Sequence, residues 1–151
     1  MASWAEFAAA EPDLASRVAE RFAIRKHNTL ATLRKDGSPR ISGIEVEFEN
    51  GELFLGMMPG SMKLRDLERD PRLALHSPTE DPPEGKPSGW PGEAKLAGYG
   101  RQVGVPNSPG AGGRFRIDIT EAVFTHLNDA GDALVVESWR PGKGSTRLER
   151  R

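Results

Sequence analysis

The stretch TLATLRKDGSPRISGIEVEFENGELFLGMMPGSMK, residues 29–63, decides the fold of this 151-residue chain. Asp36-Gly37 and Asn50-Gly51 cut it into three runs, and Asx-Gly pairs supply the positive φ that two-residue hairpin turns need. The first run, His27 to Arg34, alternates apolar or small residues with polar ones. The second, Arg40 to Glu49, sets Ile41, Gly43 and Glu45 against Ser42, Ile44, Val46 and Phe48. The third is Glu52 to Met58. Period-two alternation between tight turns predicts an antiparallel meander.

The period then changes. From Ser61 to Arg69 the apolar residues take helical spacing, and Asp70-Pro71 ends the helix, because the residue before proline is driven out of the α region. Further strands are expected at Arg72–Ser77, Ala94–Val103, Phe115–Leu127 and Ala133–Trp139, with Asp129 to Asp132 as a turn. The Pro/Gly-rich stretches 78–92 and 104–113 read as loops. Upstream, Ser3 and Glu6 form a capping box, and Leu14, Val18, Ala19 and Phe22 make a helical stripe. Together these predict one domain over 1–151. It has a helical segment at 1–26, a six- to seven-stranded antiparallel β-barrel at 27–139, and a loose basic tail at 140–151.

Composition narrows the function. A net charge of −1, from 21 basic and 22 acidic side chains, offers no field to attract nucleic acid or an anionic membrane, so any anion site must be local. Without cysteine there is no disulfide, thiolate metal site or thiol nucleophile. His27, His76 and His126 lie too far apart to suggest a metal site. No 18-residue apolar run and no basic leader are present, and a cytoplasmic protein is expected.

Local anion chemistry points to one place. Where Met57-Met58-Pro59-Gly60 gives way to the helix, Ser61 is a candidate N-cap and Lys63 lies in the first turn. A helix N-terminus holds unpaired N–H groups and partial positive charge, which suit a phosphate. A lysine there opposes the helix dipole, a conflict that a bound anion resolves. On the residues alone two readings stand, a phosphate anchor or a plain cap beside a solvated lysine.

The order of Thr29–Leu33, Asp36–Ile41, Gly51–Leu55 and Ser61-Met62-Lys63-Leu64…Asp70-Pro71-Arg72 resembles the pyridoxamine 5'-phosphate oxidase-like superfamily. Lys95–Arg101, Asp118–Val123 and Val136–Gly142 continue the likeness more loosely. The resemblance implies an FMN-binding type split β-barrel and a homodimer, with FMN or coenzyme F420 at the subunit interface. By position, Ser61, Lys63 and Arg40 correspond to phosphate contacts, and Ile41, Ser42, Gly43 and Ile44 to the strand under the ring. Met57 and Met58 correspond to the end of the next strand. Met62 stands where the flavin oxidases usually carry arginine, so one phosphate contact is lost.

Further candidates are Glu45 within the cofactor strand, His76 at a strand end, Trp90 in a loop, and the pair Trp139-Arg140. For each the bland alternative is a surface, rim or barrel-capping residue. No catalytic acid–base constellation is recognisable. The resemblance implies redox chemistry by a bound flavin or deazaflavin on a small unsaturated or aromatic substrate, which needs no such constellation. A non-catalytic flavin or haem carrier, a sensor, or a cofactor-free dimeric interaction module are the alternatives.

Overall fold

The computed structural model describes residues 1–104 and 113–151. Two helices, α1 (Trp4–Ala10) and α2 (Pro12–Ala23), lead into β1 (His27–Leu33), β2 (Pro39–Glu49) and β3 (Glu52–Gly56). Then come α3 (Met62–Arg69), β4 (Arg72–His76), a single 3-10 turn (Pro87–Gly89), β5 (Glu93–Gln102), β6 (Arg114–Leu127), β7 (Leu134–Arg140) and β8 (Gly144–Arg150).

All strands join one antiparallel sheet in the order β3-β2-β1-β4-β5-β6-β7-β8, and β3 also pairs with β6. That extra pairing closes six strands into a barrel, with β7 and β8 continuing outside the ring. Strand β6 serves both parts: Arg114–Arg116 pair with β3, and Ala122–Leu127 pair with β7. The β5–β6 register shifts between Ala97 and Gly98. Gly98 permits this, since a Cβ there would lie 2.1 Å from the Asp118 carbonyl oxygen.

Alternation fills the barrel. Leu30, Ile44, Leu55, Leu75, Leu96 and Ile117 point inward and are essentially inaccessible. Helices α1 and α2 pack on β3, β5 and β6, adding Phe7, Val18 and Phe22 to the same core. The Ser3/Glu6 capping box is formed as expected. None of the helices is long and apolar enough to cross a membrane.

Two expectations are corrected. The tail beyond Arg140 is not loose: β8 pairs with β7 along its length, from Arg140↔Gly144 to Leu134↔Arg150. Pro141 to Lys143 make the turn, with Gly142 at φ 75°. Every β8 residue is exposed, so no apolar alternation betrays the strand. Strand β3 ends at Gly56 rather than Met58, and the Met57 N–H then donates to the Gly113 carbonyl at 2.7 Å. The expected loop 104–113 falls, except for its end residues, outside the described residues.

Candidate functional site

The β2–α3 corner is built by alternation on one side and a cap on the other. On β2, Ile41, Gly43 and Glu45 face outward, Ile41 with 74% of its surface exposed. A Cβ built on Gly43 meets nothing within 4 Å, so no packing within this chain requires glycine there. Gly60, at φ +79°, turns the chain into α3. The Ser61 hydroxyl then accepts from the Leu64 N–H at 3.4 Å, capping the helix. The first two amides of the helix, those of Met62 and Lys63, have no intrahelical acceptor by geometry.

Lys63 spans the two elements. Its Nζ donates to the Gly43 carbonyl oxygen at 2.7 Å, setting a full positive charge over the open floor of β2. No acidic residue lies in the first turn of α3 to neutralise it. Met58 (78% exposed) and Met62 (50% exposed) rim the same corner, while Met57 packs against the core.

Behind the corner lies a buried hub that sequence reasoning missed. The Asp66 carboxylate, 1% exposed, accepts from Thr32 Oγ1 at 2.8 Å, Arg40 Nε at 2.7 Å and Arg69 at 3.0 Å. Burial opposes its ionisation, but these hydrogen bonds outweigh burial and leave its pKa lowered. The hub ties α3 to β1 and β2, and so holds the helix N-terminus over the strand. Arg40, expected to reach a phosphate, places its Nε on Asp66 at 2.7 Å and keeps 20% of its side chain exposed. Ile44, expected under a ring, is a core residue at 2% exposure and presents no side chain outward. A signal for the hub existed: an aspartate mid-helix between Leu64 and Leu67 lies on the buried stripe.

Outward from Gly43, the sheet surface carries an apolar cleft of about 470 Å³. Register puts Ile41 beside Ala31, Ala31 beside Ala74, and Ala74 beside Ala97. The neighbouring row runs from Gly43 through Thr29, His76 and Lys95 to Val123. His76 thus lines the cleft, with Nδ1 2.7 Å from the Ser77 carbonyl oxygen and Nε2 3.6 Å from Glu93. The small outward residues of β1, β4 and β5 were not singled out from sequence, because alternation with alanine carries little contrast.

The remaining candidates scatter. Glu45 is exposed, 3.6 Å from His27. The Trp90 indole donates to the Glu80 carbonyl at 2.8 Å, away from the corner. Trp139 is not available to a ligand: it is 5% exposed and stacks on Phe7, ring centroids 4.8 Å apart. Its neighbour Arg140 is exposed and pairs with Glu121 at 2.7 Å. Among the described residues no group of three His, Asp or Glu side chains is arranged to hold a metal ion.

No protein-family model and no curated protein matches this sequence. Solved structures do. PhzG from Burkholderia lata, in complex with tetrahydrophenazine-1-carboxylic acid, is 12% identical over 97% of this chain and 92% of that one, at a TM-score of 0.64. A pyridoxamine 5'-phosphate oxidase-related, FMN-binding protein from Nostoc punctiforme is 9% identical over 93% and 96%, at 0.61. A heme-binding protein from Mycobacterium smegmatis is 12% identical over 89% and 87%, at 0.54. Backbone agreement across nearly the whole chain at such low identity is agreement of fold, and the protein has the antiparallel split β-barrel fold that it shares with these structures.

Proposed function

We propose that this chain binds FMN or coenzyme F420 at the β2–α3 corner and acts as an oxidoreductase on a small unsaturated or aromatic substrate, as a homodimer with the cofactor at the subunit interface. The observation that carries this is the Lys63–Gly43 contact of 2.7 Å, which sets the N-terminus of α3 over an open strand floor. The donors suit a phosphate: one ammonium, the Ser61 hydroxyl and the free amides of the first turn. The floor suits a flat ring, because Gly43 leaves open the space a side chain would take. When bound, the cofactor supplies the hydride or electron pair. The protein's part is to anchor the phosphate at Lys63 and Ser61 and to support the ring on the outward face of β2. The exposed Ile41 and the alanine row beside it offer the surface a second copy would cover.

Titration of the purified chain with FMN, F420 and haem, followed by absorbance and fluorescence, tests the reading. One of the first two should bind, and Lys63→Ala should weaken that binding by about 1.5–3 kcal/mol, the size of one charge-assisted phosphate contact. Sedimentation should report a dimer. Binding unaffected by Lys63→Ala would move the anchor elsewhere, and haem binding alone would replace the redox reading with a carrier.

A further inference from the structure

Strand β8 stands apart in the sheet. Every other described strand has a neighbour on both sides, because β3 returns to β6, whereas β8 is paired only with β7. Its seven residues, Gly144–Arg150, match β7 one for one from Arg140↔Gly144 to Leu134↔Arg150, with no register shift. The outer edge of β8 therefore presents a row of backbone N–H and C=O groups with no described strand to receive them. Proline, bulges or charge commonly blunt such an edge. Strand β8 has neither proline nor bulge, and all of its side chains are exposed, so it buries nothing within its own chain.

Charge guards an edge only when copies meet with like signs, and β8 is self-complementary. An isologous antiparallel pair has a two-fold axis normal to the sheet, so one residue must lie opposite its own copy. With the axis at Arg147 two guanidinium groups meet, and at Glu149 two carboxylates do; at Thr146 neither charge finds an opposite within the strand. At Leu148 opposite signs meet: Arg147 faces Glu149 of the second copy, Glu149 faces its Arg147, and Leu148 meets Leu148. Within one chain Arg147 and Glu149 already share a face, Nη2 and Oε1 3.5 Å apart, so two copies form a ring of alternating charges. On the other face Leu148, 53% exposed, lies opposite Val136, with Leu134, 41% exposed, two residues along β7. The same axis joins these two small apolar patches into one.

We infer that β8 is an interface with a second copy of this chain, the two strands pairing antiparallel about Leu148 so that one sheet runs through both molecules. Ile41 belongs to β2, which pairs with neither β7 nor β8. The edge contact is therefore distinct from the subunit interface proposed for the cofactor and does not rest on it. One strand pair is small beside the about 1,600 Å² of a standard interface, so it forms as protein concentration rises.

Because the chain has no cysteine, single-cysteine variants of the full chain read the register directly. Directly opposed Cβ atoms sit about 5 Å apart, within reach of a disulfide. Under mild oxidation Leu148→Cys should give a covalent dimer at least about tenfold faster than Leu134→Cys, whose copies lie three strand spacings, about 14 Å, apart. In sedimentation the wild-type mass should rise with concentration above its low-concentration value, and Arg147→Glu or Glu149→Arg should each weaken that association at least about tenfold. Mixing the two variants should restore it, since each supplies the sign the other lacks. Equal cross-linking of the two cysteine variants, no rise in the wild-type mass, a rise that survives Arg147→Glu, or no rescue on mixing overturns the inference. The cofactor reading is tested apart: Ile41→Glu should lower the mass at low concentration and leave the Leu148→Cys cross-link intact. A mass unchanged by Ile41→Glu, with cross-linking still specific to Leu148→Cys, removes the subunit interface proposed above and keeps this one.

Discussion

Glu137 offers a measurable link between pH and the packing of α2 on the sheet. Its carboxylate accepts two hydrogen bonds from Arg17, at 2.6 and 2.9 Å, and lies 2.7 Å from His126 Nε2. Arg17 comes from α2, His126 from β6 and Glu137 from β7, and the Glu137 side chain is only 18% exposed. The Arg17 hydrogen bonds, working against burial and helped by His126, bring its pKa from 4.5 down to about 2. At about 1.4 kcal/mol per pH unit, that fall corresponds to about 3 kcal/mol of folding stability. The sign follows from the lowered value. Below pH 4.5 the unfolded chain takes up a proton that the folded one refuses until about pH 2. The stabilisation is therefore complete above pH 4.5 and lost as pH falls toward 2. Urea unfolding of the wild type and of Glu137→Gln across pH 6 to 2 isolates the effect, because Asp66, Asp70 and the other carboxylates titrate in both proteins. The wild type should lose about 3 kcal/mol more than the variant over that range. An equal loss in the two would refute the reasoning and mean that Arg17 and His126 do not hold the carboxylate ionised.

Three further outcomes are expected. Asp66→Asn should destabilise by about 3 kcal/mol, lowering the thermal midpoint by about 6–12 °C, because Arg40 loses its carboxylate partner in a buried setting; a change under about 1 °C in calorimetry would show that the hub is solvated. Trp139→Ala should cost about 3–5 kcal/mol in urea unfolding, as expected for a buried aromatic that stacks on Phe7. A near-neutral result would place that ring outside the core. Gly43→Val should leave stability within about 0.5 kcal/mol, since the built Cβ meets no atom, yet reduce FMN or F420 affinity at least about tenfold. Undiminished affinity would take the ring off this face.

Much of this protein was determined by sequence alone, where local chemistry has few solutions. Asp36-Gly37 and Asn50-Gly51 demand positive φ, and the runs between them repeat every two residues, so β1, β2 and β3 were legible as a meander. Ser61 before a helical period, with Pro59-Gly60 upstream, likewise announced the corner of the candidate site. The same alternation sorted Ile41 and Gly43 from Ile44, although only a sheet with a defined inside could say which set faces out. Strand β8 left no trace because it buries nothing, and its pairing with β7 is a backbone matter that side-chain patterns do not record. Tertiary structure alone decided the partners of charges. Arg40 and Asp66 are 26 residues apart and Arg17 and Glu137 are 120 apart, and both pairs exist because the fold packs α3 against β2 and brings α2 to β7. The β1–β4 and β4–β5 pairings also lined up Ala31, Ala74 and Ala97 from three strands into one row. Periodicity acts over neighbouring residues, whereas ion pairs and clefts depend on distances that only the completed fold sets.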